Sequence, residues 1–223
     1  GADIAIAYLN EHDDAMETKR HVESIGRPCL TVACDLRSEE GAAAVVAKTM
    51  ERYGKLDCLV NNHAVQFLQK SILDITEEQL ETTFRTNIYS FFFLVKAVLP
   101  RLRSGATIIN TTSVTAFRGD RDLLDYSAAK GAIVSFTRSL ALSLMESGIR
   151  VNAVSPGPVW TPLQPASRAP EEIETFGTWG TSRSGMRRAG QPFEIAPAYV
   201  FLASDDSSFM SGEVLHPNGG IIV

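Results

Sequence analysis

Short apolar runs and longer polar stretches alternate along the chain. The runs Ile4–Leu9, Leu30–Cys34, Leu56–Val60, 106–113, Arg150–Ser155 and Glu213–His216 predict strands. Asn10–Ser24 carries Ala15, Met16, Lys19 and Val22 at helical spacing and ends at Gly26, which predicts a helix. Ser38 can cap a second helix that has Glu39 and Glu40 in its first turn and stops at Gly54. Thr76-Glu77-Glu78-Gln79 reads as a capping box, and the helical run after it holds Asn87 and ends near Leu102. Within that run Tyr89–Val98 is too apolar to face water. Further helices are predicted from about Leu124 to Met145, stopped by Gly148, and from Gln191-Pro192 to about Ala203. Residues 163–190 are rich in Pro, Ser, Arg and Gly, a substrate loop with one short helix at 170–177. Strands recur about every 25–35 residues. That is the rhythm of an α/β fold, a doubly wound parallel sheet, here as a single domain over residues 1–223.

Composition narrows the function. The 223 residues are 44% hydrophobic, enough for a core, and the net charge of -5 argues against nucleic acid as a partner. No run of 18 apolar residues suggests a membrane span. The start, GADIAIAYLNEHDD, does not read as a signal peptide. Cys29, Cys34 and Cys58 form no C-x-x-C pair, which suits a reducing compartment such as the cytoplasm. His12, His21, His63 and His216 are scattered, so no metal site is expected.

The chemistry concentrates in ATIINTTSVTAFRGDRDLLDYSAAK, residues 106–130. Tyr126 and Lys130 stand four apart, which puts both on one helix face. Ser113 falls where a strand gives way to loop, the end of a parallel sheet at which ligands bind. A nearby ammonium should lower the phenol pKa from about 10. Such a phenol can exchange a proton with an alcohol or carbonyl oxygen, and a serine hydroxyl can hold the same oxygen. Taken alone, Y-x-x-x-K is a weak signal that many helices carry by chance.

Six ordered motifs strengthen it. Asn87 in RTNIYSFFFL, Ser113 in INTTS, and Tyr126 and Lys130 in YSAAK match a catalytic quartet, with the thirteen-residue Ser–Tyr spacing intact. Asn61-Asn62-His63-Ala64 matches N-N-A-G, and Cys34-Asp35-Leu36 matches the D-[VIL] pattern. Arg150–Gly157 with Thr161 matches R-V-N-x-[VI]-x-P-G-x-x-x-T, and Phe201–Ser208 and Gly219-Gly220 match the C-terminal motifs. Along its whole length the chain resembles the classical short-chain dehydrogenase/reductase family, and is most similar to its glucose-dehydrogenase-like branch.

The resemblance implies an oxidoreductase that moves a hydride between NAD(P) and an alcohol, ketone, aldehyde or sugar. Tyr126 would be the acid or base. Lys130 would lower its pKa and hold the nicotinamide ribose, Ser113 would bind the substrate oxygen, and Asn87 would hold a relay water. Asp35 and Leu36 would meet adenine, and Asn61 and Ala64 its ribose side. Pro156, Gly157, Val159 and Thr161 would frame nicotinamide and phosphates. Tyr8 stands where NAD users often carry aspartate, so NADP or dual use is favoured over NAD alone. Gln66, Thr115, Phe117, Trp160, Leu163 and Trp179 would face a small-molecule substrate. His63 would crowd the cofactor or point outward, and Asn218, replacing an aspartate, would weaken a structural contact. A homo-oligomer, dimer or tetramer, is implied.

No glycine-rich G-x-G-x-x-G or G-x-x-x-G-x-G turn occurs. Against the family, the chain reads as missing its first strand, phosphate-binding turn and first helix, which leaves Leu56–Val60 without a neighbour. The competing expectation is therefore a catalytically impaired or non-catalytic relative that acts through protein contacts.

Overall fold

The computed structural model describes residues 1–178 and 185–223. In chain order the elements are β1 (Ile4–Tyr8), α1 (His12–Ser24), β2 (Cys29–Ala33), α2 (Glu39–Tyr53), β3 (Cys58–Asn61), α3 (Glu77–Phe84), α4 (Ser90–Val98), β4 (Thr107–Thr111), α5 (Thr115–Arg118), α6 (Leu124–Leu144), β5 (Arg150–Val154), α7 (Leu163–Ser167), α8 (Pro170–Glu174), α9 (Pro192–Ala203) and β6 (Val214–Leu215). Every predicted strand is present, and all the pairings are parallel.

Two compact units result. The first comprises residues 1–57 and 89–102 and holds the parallel pair β1–β2. Its helix ends follow local chemistry. Ser38 accepts the Gly41 N–H at the start of α2, and Gly54, left-handed at φ 71°, ends it. Helix α4 packs on α2 and buries Phe91, Leu94, Val95 and Val98, which accounts for its apolar sequence.

The second unit comprises residues 58–88 and 103–223, with a sheet in the order β3-β4-β5-β6. Strand β4, paired on both sides, is buried throughout. Its polar residues are matched: Asn61 Nδ2 donates to Asn110 Oδ1, and Asn110 Nδ2 donates to Thr137 Oγ1 on α6. Ile109, Val154 and Leu202 form a core on the α9 side. Strand β3 lies at the edge of its sheet, and Val60 is 45% exposed there.

Three local readings change. The capping box at Thr76 is half made: Thr76 Oγ1 accepts the Gln79 N–H, but the Gln79 side chain turns to Gln69 and Asp125. The helical run through Asn87 opens into a π turn over Arg85–Tyr89. The substrate loop contains α7 as well as the expected short helix, and α7 is braced where Ser167 Oγ donates to the Leu163 carbonyl.

Candidate active site

The C-terminal ends of β3, β4 and β5 lie side by side in the second unit, with Asn61 opposite Asn110 and Thr111 opposite Val154. Ser113 follows β4 and is buried. Helix α6 starts at Leu124 and brings Tyr126 and Lys130 to the same edge on successive turns. Asp125 anchors that start. Its carboxylate accepts from Gln79 Nε2 at 3.0 Å, Thr83 Oγ1 at 2.7 Å and the Tyr126 N–H at 2.9 Å.

Ser113 hydrogen-bonds the Tyr126 hydroxyl, which pulls the phenol pKa down. Thr115 sets the direction of that bond. Its N–H at 3.2 Å and its Oγ1 at 3.1 Å both donate to Ser113 Oγ. A hydroxyl has two acceptor lone pairs and one proton, so with both lone pairs taken the proton must point to the tyrosine or the substrate. Thr115 therefore orients Ser113, a role the sequence did not suggest.

The expected lowering of the Tyr126 pKa does not occur. Burial pushes the phenol up to about 12, against the opposing pull of Ser113. Lys130, also buried, is pushed down to about 7 by desolvation. Its Nζ donates to the Thr111 carbonyl at 2.8 Å and stands 5.6 Å from the Tyr126 ring centre. Both shifts have one cause: a low-dielectric site disfavours either charged form. At neutral pH Tyr126 keeps its proton. His63 is pushed down to about 4 by burial first and then by Lys130, so at neutral pH its ring is uncharged.

Asn87 is fully buried, and its amide clamps Val65: the Val65 N–H donates to Oδ1 and Nδ2 donates to the Val65 carbonyl, each at 2.8 Å. Its side chain thus holds the loop after β3. The π turn accommodates a residue that favours helices poorly. Asn218 also departs from expectation. Its Oδ1 accepts the Gly220 and Ile221 N–H groups, and its Nδ2 donates to the Ile221 carbonyl at 2.7 Å, a bond an aspartate could not make. Gly157 lies so close to this turn that a Cβ would sit 2.5 Å from the Asn218 carbonyl oxygen.

A pocket of about 90 Å³ opens onto Ser113 and Tyr126. Gln66, Thr115 and Leu163 line it as expected, together with Gly157, which was expected at the cofactor. Phe117 and Trp160 lie outside its lining. Phe117 meets His216 edge-on at 4.8 Å, and Trp160, 41% exposed, leans toward Phe176. Trp179 falls outside the described residues. The lining also includes Arg118, Asp120, Gln164, Arg168 and Phe176, which no motif marked.

Of the expected cofactor residues, Asn61, Ala64, Pro156, Gly157, Val159 and Thr161 belong to the second unit with the pocket, and Asp35 and Leu36 to the first. Asp35 is held by Arg37 in a two-pronged ion pair, Oδ1 to Nε at 2.9 Å and Oδ2 to Nη2 at 2.7 Å, which lowers its carboxyl pKa. At the end of β1 the Tyr8 hydroxyl lies 2.8 Å from His12 Nδ1. Asn61 Oδ1 and Ser155 Oγ are buried without a hydrogen-bond partner among the described residues. An amide oxygen accepts and a hydroxyl can do both, so these unmet groups suit a ligand's hydroxyl groups. Among the described residues no His, Cys, Asp or Glu group could hold a metal. No described helix is long and apolar enough to cross a membrane.

The family model described as Enoyl-(Acyl carrier protein) reductase matches residues 1–222. The chain belongs to the short-chain dehydrogenase/reductase family of oxidoreductases, with its Rossmann-like α/β fold. It is 50% identical to the glucose and ribitol dehydrogenase of Daucus carota, covering 100% of this chain and 77% of that one. It is 48% identical to NADPH-dependent aldehyde reductase 1, chloroplastic, of Arabidopsis thaliana, covering 100% and 78%. A short-chain dehydrogenase from Burkholderia cenocepacia, solved with NADP, superposes with a TM-score of 0.89 at 28% identity, covering 99% of this chain and 87% of that one.

Proposed function

We propose that the chain interconverts an alcohol and a carbonyl compound, such as an aldehyde, ketone or sugar, at Ser113, Tyr126 and Lys130. The observation that carries this reading is the directed chain Thr115 to Ser113 to Tyr126 facing a pocket. In reduction Tyr126, still protonated, gives its proton to the substrate oxygen as the carbonyl carbon is reduced. The Ser113 proton then stabilises the phenolate left behind. The nicotinamide, when bound, supplies or accepts the hydride. Lys130 is assigned to its ribose hydroxyls, and Asn61, Ala64, Pro156, Gly157, Val159 and Thr161 to its frame. Asp35 and Leu36 are assigned to adenine.

NADP is the favoured cofactor, with NAD as the other candidate. Tyr8 offers no carboxylate to repel a 2′-phosphate, and the Arabidopsis relative and the solved Burkholderia neighbour are described with NADPH and NADP. Residues 1–223 are read as one dinucleotide-binding domain, in keeping with the match over 1–222. Exposed Leu142 and Met145 on and just after α6, and Phe209, favour a dimer or tetramer, which sedimentation equilibrium would distinguish from a monomer. The three free cysteines fit a reducing compartment such as the cytoplasm.

The test is nicotinamide absorbance with NADPH, NADH and a panel of aldehydes, ketones and sugars. Oxidation of NADPH by at least one carbonyl is expected, and the absence of both dinucleotide binding and turnover would overturn the proposal. Thr115→Val should lower kcat about 3–10-fold with KM little changed, since one hydrogen bond of about 0.5–1.5 kcal/mol fixes the Ser113 proton. An unaltered kcat would remove Thr115 from the chain.

A further inference from the structure

We infer that the substrate carries a further hydroxyl besides its reacting oxygen, and that the amides of Gln66 and Gln164 recognise it. The inference rests on the reading of Ser113 and Tyr126 as the reacting end. Both glutamines line the same pocket as those two residues. Both are buried, Gln66 at 7% exposure and Gln164 at 8%. Each amide is anchored at one end, and the chemistry of the anchor decides which end that is.

Gln66, in the loop after β3, donates from Nε2 to Ser167 Oγ at 2.7 Å. The Ser167 proton is given to the Leu163 carbonyl, also at 2.7 Å, so its oxygen is left to accept. The nitrogen end of Gln66 must therefore face Ser167, which leaves Oε1 over. Gln164, on α7, is fixed the other way round. Its Oε1 accepts from Arg168 Nε at 3.0 Å. A guanidinium N–H only donates, so the amide oxygen must face it, which leaves Nε2 over. Gln66 Oε1 and Gln164 Nε2 have no hydrogen-bond partner among the described residues. One pocket thus presents an acceptor and a donor on side chains already held in place. A carboxylate suits the donor but repels the acceptor. An apolar chain leaves both amide ends buried and unpaired, which weakens its binding. A hydroxyl donates and accepts, so it answers both. A hydroxyaldehyde, with its carbonyl at Tyr126 and its hydroxyls at the two amides, is the class of substrate that leaves none of these groups unmet.

The experiment compares propanal with glyceraldehyde, which adds hydroxyls to the same three-carbon chain, using the full chain and NADPH. Glyceraldehyde should show a kcat/KM at least about tenfold higher, and Gln164→Met should bring that ratio down at least about fivefold. Any difference in intrinsic carbonyl reactivity is common to both proteins and cancels between them. Equal values in the unaltered protein, or a ratio that survives Gln164→Met, would overturn the inference. A ligand-observed NMR titration of glycerol and 1-propanol, with NADPH present, needs neither turnover nor a variant. Glycerol should bind more tightly. That result without turnover of any carbonyl would keep the hydroxyl site and sink the reaction assigned to Tyr126. Failure of glycerol to bind more tightly than 1-propanol would sink the hydroxyl site, even where plain aldehydes are reduced.

Discussion

Tyr126→Phe is expected to reduce turnover about 10²–10⁴-fold, the usual worth of a positioned acid or base, with dinucleotide affinity nearly intact. The geometry separates the two effects. The ring is 8% exposed, so phenylalanine fills the same space and the fold should persist. The hydroxyl, by contrast, is where the donor chain from Thr115 through Ser113 ends, and in the proposed reaction it is the proton source for the substrate oxygen. With the phenol held up to about 12, Tyr126 stays protonated throughout the neutral range. Reduction should therefore lose no activity to Tyr126 ionisation until strongly alkaline pH. Steady-state kinetics and fluorescence titration with NADPH provide the two readouts. Wild-type turnover in the variant would end the mechanism.

The second large effect is at Lys130, where activity and stability should move in opposite directions. In the absence of dinucleotide its pKa is about 7, against an ordinary 10.5, because burial disfavours the ammonium. Between these values the unfolded chain binds the proton and the folded chain largely does not. Stability then rises with pH across that window, complete above about 10.5 and lost as pH falls to about 7. Lys130→Met removes the titration. Its unfolding free energy should be flatter across the window and should gain on the unaltered protein toward neutral pH. A constant loss of about 1–3 kcal/mol opposes this gain, because the Thr111 carbonyl is left without its donor. The KM for dinucleotide should rise about 10–100-fold, the worth of a charge-assisted hydrogen bond to the ribose. Urea unfolding of both proteins at several pH values checks the linkage. Parallel curves would show that Lys130 does not titrate as its burial implies.

Both effects concern residues that the chain announces on its own. Tyr126 and Lys130 are legible because four residues make one helical turn, and Ser113 because an apolar run stops there. The caps at Ser38 and Gly54 are legible for the same reason, since each acts on backbone a few residues away. The direction of the two pKa shifts was not legible. Spacing places an ammonium near a phenol, but only the packing around β4 and α6 excludes water, and that exclusion outweighs the attraction. The Asn87 clamp was not legible because the backbone it holds lies 22 residues earlier. Arg168 carried no signal at all: its setting depends on Phe176, Gln164 and a glutamine 101 residues from Ser167.

The sequence alone determined the alternation of strands and helices, the helix ends and the three residues at the head of the site, because each follows from interactions within a turn or along one strand. The tertiary structure alone decided which groups stay neutral and where the serine proton points, because burial and long-range hydrogen bonds exist only once distant segments pack together.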